Sequence, residues 1–324
     1  MVLKKLVHVS REDECSFDVV GVVTQPGRPK GRRNKGVPQP SPVEVFAREE
    51  SLENILCPVK ANEEDFLETM KELSPDLCIT AAYGNYLPSS FLKIPKFGTL
   101  NIHPSLLPAY RGAAPVQRAI EDGLEVSGVT VLYTVKQMDA GPILGQKEYQ
   151  LDRDVQAPEL LNTLFNLGTD LLLEKLPDVW SGRDKEYTIA QNDDIATHAP
   201  KLGKEEGRLD FHDSALVCHN KVRAFAGWPG TYHEFEIYKD GNDVPEYAQI
   251  KILSSRLGSD GNSNAGASEN GKVVFSKDAM QIICGDGNVL EVLELQSPGK
   301  KSTSAQAFKN GLTGKSIKWK VQNS

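Results

Sequence analysis

From Val2 to Leu176, short apolar runs alternate with segments whose apolar residues recur at helical spacing. Residues 17–24, 55–58, 75–84, 98–103, 127–135 and 145–151 read as strands. They are rich in β-branched and small apolar side chains, which suit a pleated, half-buried surface. Residues 2–9, 43–51, 62–73, 88–92, 117–122 and 157–176 read as helices. In 62–73 the apolar positions are Phe66, Leu67, Met70 and Leu73, and the first turn is acidic, as the positive end of the helix dipole favours. The helix from 157 is expected to stop before Pro177, which has no N–H to give the turn below it. Strands alternating with helices predict an α/β domain with a Rossmann-like, mainly parallel sheet. Its functional groups should gather at the carboxyl ends of the strands.

The pattern changes after Gly182. Residues 187–204 are polar and lack periodicity, and read as a linker. One helix is expected over 216–225, ending at Gly227-Trp228-Pro229-Gly230. Short strands follow at 231–238, 248–253, 272–275, 280–284 and 289–295, with a Gly/Ser/Asn-rich loop over 254–270. Several short strands separated by turn residues predict a small OB-like β-barrel. The expected organisation is a domain over 1–184, a linker over 185–205 and the barrel over 206–316.

Composition narrows the classes. At 324 residues the chain exceeds one ordinary core, so two domains are expected. No apolar run reaches the length of a bilayer span, and no membrane partner is expected. Residues 1–10 have neither a long apolar core nor a cleavage site, and Glu12, Asp13 and Glu14 follow at once; neither a signal nor a transit peptide is read there. Cys15, Cys57, Cys78, Cys218 and Cys284 are scattered without metal-ligand spacing, and the six histidines form no H-x-x-x-H pair. Reduced thiols and no metal site are expected.

The net charge of −7 speaks against general polyanion affinity, but basic residues cluster. Arg28, Lys30, Arg32, Arg33 and Lys35 lie together with no acid among them. From Gly299 to Ser324 there are six lysines and no acid. Such islands can give an acidic protein a local footprint for a polyanion. The first lies in a Pro/Gly-rich loop that reads equally as a solvated linker or a functional insertion.

The densest chemistry is in the first half. Asn101-Ile102-His103-Pro104 places an amide and an imidazole two residues apart where a strand meets a loop, so both face one side. Met138-Asp139-Ala140-Gly141 offers a carboxylate at another strand-to-loop junction. Singly, His103 reads as a structural histidine, Asp139 as a turn residue and Asn101 as a strand end. Together they supply an oxyanion donor, a proton shuttle and an orienter, the parts acyl transfer needs.

These residues also carry a resemblance. Asn101-Ile102-His103-Pro104-Ser105-Leu106-Leu107-Pro108, then Tyr110-Arg111-Gly112-Ala113-Ala114-Pro115-Val116-Gln117-Arg118, then Met138-Asp139-Ala140-Gly141, resemble the 10-formyltetrahydrofolate-dependent formyltransferases. Thr24-Gln25-Pro26, Ser41-Pro42-Val43, Ala82-Tyr83-Gly84, Ala199-Pro200-Lys201-Leu202, Arg223-Ala224-Phe225, Trp228-Pro229 and Gly299-Lys300-Lys301 narrow it to the methionyl-tRNA formyltransferase family. The wording of 77–84 and 223–230 is similar to plant organellar members.

The resemblance implies formyl transfer from 10-formyltetrahydrofolate, a co-substrate, to the amine of initiator methionyl-tRNA, without a metal. It implies Asn101 and a protonated His103 as oxyanion donors, with Asp139 pairing with His103. It implies a folate site framed by backbone groups of Ser105, Leu106, Leu107, Pro108, Ala82, Tyr83 and Gly84. For tRNA it points to Arg28, Lys30, Arg32, Arg33, Lys35, Lys300 and Lys301; Arg111 is expected at the mouth of the site. A monomer in a mitochondrion or plastid is expected. The family opens with a strand and a Gly-containing turn before its first helix, whereas this chain starts inside that helix, so a gap in the central ladder and an N-terminally short chain are expected. The rival readings are a folate formyltransferase with a small acceptor, and a silent tRNA- or folate-binding product.

Overall fold

The computed structural model describes residues 1–29, 36–241, 243–258 and 271–321. The chain divides into two compact units. The first comprises residues 1–115, 126–150 and 161–199; the second comprises 116–125, 151–160 and 200–324.

In chain order, the elements up to residue 199 are α1 (Val2–Val9), β1 (Val22–Val23), β2 (Arg28–Pro29), β3 (Pro38–Gln39), α2 (Pro42–Glu49), β4 (Ile55–Leu56), α3 (Glu64–Leu73), β5 (Cys78–Thr80), α4 (Ser89–Leu92), β6 (Thr99–His103), β7 (Arg111–Gly112), α5 (Pro115–Glu121), β8 (Val126–Tyr133), β9 (Ile143–Gln150), α6 (Ala157–Ser181) and β10 (His198–Ala199). The first unit has the Rossmann-like architecture of an α/β layered fold. Its parallel pairs are β1 with β4, β5 with β6, and β7 with β10. Strands β8 and β9 extend the β5–β6 sheet in antiparallel fashion.

Strand β6 is the centre of this sheet. Leu100 and Ile102 are buried on one face, and Asn101 and His103 fall on the other by the two-residue period of a strand. Helix α6 closes the apolar face at Gly168. A Cβ there would stand 2.5 Å from Ile102 Cγ2 and 2.6 Å from Val129 Cγ2. Helix and sheet thus approach as closely as only a glycine permits.

Two expectations change. Helix α6 does not stop at Pro177 but continues to Ser181. Its last turn is anchored from outside the helix: Val179 is buried, the Trp180 ring meets Phe97 edge-on at 5.3 Å, and Trp180 Nε1 donates to Ser16 Oγ. Those contacts outweigh the hydrogen bond that proline forfeits. The strand expected over 17–24 is reduced to Val22–Val23. Among the described residues it pairs only with β4, and β5 pairs only with β6. Both border a cavity of about 840 Å³ in this unit, whose wall includes Val19, Val22, Cys78, Thr80, Phe165 and Trp180. Among the described residues no strand lies between them, and with one pairing partner β1 gains little from a longer ladder.

In the second unit α7 (Ala215–Ala224) precedes β11 (Thr231–Lys239), β12 (Glu246–Leu257), β13 (Val273–Phe275), β14 (Met280–Ile283), β15 (Val289–Gln296), β16 (Thr303–Ser304), α8 (Ala305–Asn310) and β17 (Lys315–Trp319). The sheet runs β13-β14-β15-β12-β11-β17, with β16 beside β15. A bridge between Lys272 and Lys318 brings its ends together, so the sheet is nearly closed, as in an OB-like barrel. The interior holds Phe211, Phe235, Ile250, Ile252, Val292 and Trp319.

Candidate active site

Asn101, His103 and Asp139 converge in the first unit. Asp139 Oδ1 lies 3.4 Å from Asn101 Nδ2 and 3.7 Å from His103 Nδ1. Asp139 Oδ2 accepts from the Gly112 backbone N–H at 2.9 Å. A carboxylate only accepts, so the Asn101 nitrogen faces Asp139. The Asn101 Oδ1 then accepts from Thr80 Oγ1 at 2.9 Å. That leaves one amide N–H of Asn101 for another acceptor.

His103 Nε2 lies 3.0 Å from the Tyr110 carbonyl. A carbonyl accepts, so Nε2 carries the proton and Nδ1 is the atom turned toward Asp139. Burial pushes the His103 pKa below the ordinary 6.5, while the Asp139 charge and the Tyr110 carbonyl pull the other way. Burial wins, because an imidazolium with a side chain only 5% exposed loses nearly all of its hydration. Burial thus favours the neutral ring in the free site, where the resemblance implies the protonated one.

Asp139 itself adopts a left-handed φ of +50°, an uncommon state for a non-glycine residue. Its loop is held from residues 187–204, which the sequence suggested as a plain linker. Gln191 Nε2 donates to the Asp139 and Gly141 carbonyls at 2.8 and 2.7 Å. Gln191 Oε1 accepts from Arg111 Nε and Nη2 at 2.9 and 2.7 Å. Arg111 Nη1 meets Asp193 Oδ1 at 2.8 Å. Arg111, expected at the mouth, is 3% exposed. Gln191 sits in an aperiodic Gln-Asn-Asp-Asp run, and nothing in that run signals its partners.

The expected folate residues divide. Ala82 and Tyr83 line the 840 Å³ cavity; Gly84 and residues 105–108 do not. Ser105 and Leu107 are buried, and their backbone groups are used internally. Thr130 Oγ1 donates to the Ser105 carbonyl and accepts from the Leu107 N–H, and Gln146 Nε2 donates to the Leu107 carbonyl. Ser105 Oγ donates to the Ala109 carbonyl. These bonds fix Ser105 and Leu107 in the loop that carries Leu106, Pro108 and Tyr110.

Of the expected tRNA residues, Arg28 is exposed in the β2–β3 pair, and Lys30, Arg32, Arg33 and Lys35 lie outside the described residues. Lys300 and Lys301 are exposed at a turn where the Lys300 N–H donates to the Ser297 carbonyl. Among the described residues no cluster of ligating side chains forms a metal site, and no helix is long and apolar enough to cross a membrane.

Residues 1–176 match the formyl transferase family model, and residues 201–313 match the model of the formyl transferase C-terminal domain. The chain belongs to the formyl transferase family. A methionyl-tRNA formyltransferase of Enterococcus faecalis is 37% identical over 92% of this chain and 90% of its own length. One from Caldicellulosiruptor saccharolyticus is 35% identical over 96% of this chain and 92% of its own length. These relatives are bacterial and lend nothing to the organellar expectation. Among solved structures, the sugar 3N-formyl transferase WlaRD, determined with dTDP and 5-N-formyl-THF, matches with a TM-score of 0.60 at 16% identity, over 93% of this chain and 94% of that one. HypX from Aquifex aeolicus, in complex with tetrahydrofolic acid, matches at 0.54 and 18% identity, over 83% and 44%. These two likenesses are of fold.

Proposed function

We propose that the chain transfers the formyl group of 10-formyltetrahydrofolate to the α-amine of initiator methionyl-tRNA, for translation initiation. One observation carries the reading: relatives named for this reaction are 34–37% identical across both units, the C-terminal domain included.

The geometry supports a simple sequence of proton movements. The unprotonated amine attacks the formyl carbon, and the carbonyl oxygen becomes an oxyanion. The unused N–H of Asn101 donates to it. Neutral His103 takes the amine proton at Nδ1, becoming an imidazolium between the Asp139 carboxylate and the Tyr110 carbonyl. The tetrahedral intermediate then expels N10 of the folate, which receives that proton back from His103. Atoms and protons balance: one N–H is lost by the amine and one is gained by N10. In this reading Ala82, Tyr83, Gly84 and the 105–108 loop bound the folate. Arg28, Lys30, Arg32, Arg33, Lys35, Lys300 and Lys301 contact tRNA phosphates. We also propose a mitochondrial or plastid location on the organellar wording of 77–84 and 223–230, which cell fractionation checks.

A competition assay tests the acceptor. With 10-formyltetrahydrofolate fixed, kcat/KM for methionyl-tRNA should exceed that for an amino-sugar nucleotide by about 100-fold or more. Preference for the amino sugar makes the chain a small-acceptor formyltransferase. Turnover of neither makes it a silent binding protein.

A further inference from the structure

We propose that Gln191 is a positioning residue for the reaction: its amide clamps the Asp139 turn to Arg111 and so fixes Asp139 against His103. The inference rests on the functional reading above and extends it to a segment outside the motifs that suggested it.

The geometry is that of a saturated group. A glutamine side chain can donate two hydrogen bonds and accept two at its oxygen. Gln191 makes all four, at 2.7–2.9 Å. Both donors go to one short turn, the carbonyls of Asp139 and Gly141. Both acceptor positions go to one buried guanidinium. The turn needs such support. Asp139 is left-handed, a strained state for a non-glycine residue, and its carboxylate must stay within reach of Asn101, His103 and the Gly112 N–H at once.

The segment holds the other wall as well. The Arg111 N–H donates to the Thr197 carbonyl, the Tyr110 N–H donates to Thr197 Oγ1, and β7 pairs with β10. Tyr110 supplies the carbonyl for His103 and Gly112 the N–H for Asp139. Residues 191–199 therefore connect both partners of His103. Around this cluster the charged groups are Asp139 beside His103, Arg111 against Gln191, and Asp193 at the outer end of Arg111.

Two variants read the clamp. Gln191→Ala removes it. Gln191→Glu keeps an acceptor for Arg111 but sets a carboxylate oxygen against the two carbonyls. In the full chain, both should lower kcat for methionyl-tRNA by about 10- to 100-fold, with each KM within about twofold of wild type. His103, followed by NMR titration, should move to lower pH in both, because the Asp139 charge that raises its pKa is no longer held beside it. Unchanged kcat, or a loss of rate with the His103 titration unmoved or moved upward, overturns the proposal. If Gln191→Ala does not fold, Gln191→Glu decides alone. If neither folds, Gln191 is a folding residue and the proposal fails. A wild type inactive on methionyl-tRNA sinks the functional reading instead, while the NMR titration still reports on the clamp.

Discussion

His103 works as a proton carrier only if it is neutral before attack and can bear charge after it. Burial secures the first condition and Asp139 the second. The sign of the pH dependence follows. The competent form is the neutral ring, so rate rises with pH through the His103 titration, and that titration lies below the ordinary 6.5 because burial depresses it. Single-turnover formylation from pH 5 to 8 should show an acid limb centred below 6.5 that His103→Gln abolishes, together with a drop in rate of about 10²- to 10⁴-fold. A His103-dependent limb along which the rate falls as pH rises would mean that the charged ring is the working form. The meeting of Asn101 and His103 was legible from the two-residue period of a strand. The protonation state was not, because it depends on how deeply the surrounding fold buries the ring. Gln191 was illegible for a related reason: its partners Arg111 and Asp139 are 80 and 52 residues away, and a polar run shows no periodicity toward partners so distant.

At the level of elements, most of the helices and strands could be read from periodicity, and their ends moved by a few residues. What could not be read was decided by packing. Pro177 was a stop in the sequence and an interior residue in the helix, because Trp180 and Val179 beyond it are anchored by Phe97 and Ser16. Strand β17 went unpredicted among lysines, yet it pairs with β11 and buries Ile317 and Trp319. Gly168 sets two rules against each other. Helix propensity favours alanine over glycine mid-helix by about 1 kcal/mol. A Cβ at 2.5 and 2.6 Å from methyls of Ile102 and Val129 opposes it, and overpacking of this kind costs about 1–3 kcal/mol. Both neighbours are buried and β-branched, with stiff χ1 and no room to turn aside. Gly168→Ala should therefore be less stable by about 1–2 kcal/mol in urea unfolding. A variant more stable than wild type would show that the α6–β6 contact is looser than its geometry.

Over the whole molecule, charge rather than shape governs the encounter with a nucleic acid. A protein of net charge −7 repels a polyanion at long range, so affinity has to come from local basic islands acting within a Debye length, about 8 Å at physiological salt. Lys300 and Lys301 are suited to this. They are exposed, and the turn that carries them is pinned twice, by the Lys300 N–H to the Ser297 carbonyl and by Gln296 Nε2 to the Lys300 carbonyl. Two ammonium groups held on an ordered turn can meet phosphates with little further loss of backbone entropy. Each phosphate neutralised releases condensed counterions, so each lysine that contacts tRNA adds about 0.7–0.9 to the slope of log K against log salt. The double variant Lys300→Ala/Lys301→Ala should raise the KM for methionyl-tRNA, leave kcat at saturation unchanged, and flatten the salt slope by about 1–2. Because neither residue belongs to the first unit, the KM for 10-formyltetrahydrofolate should not move. A salt slope equal to wild type would remove this turn from the tRNA footprint and leave the island around Arg28 and the lysines after Lys301 as its basic candidates.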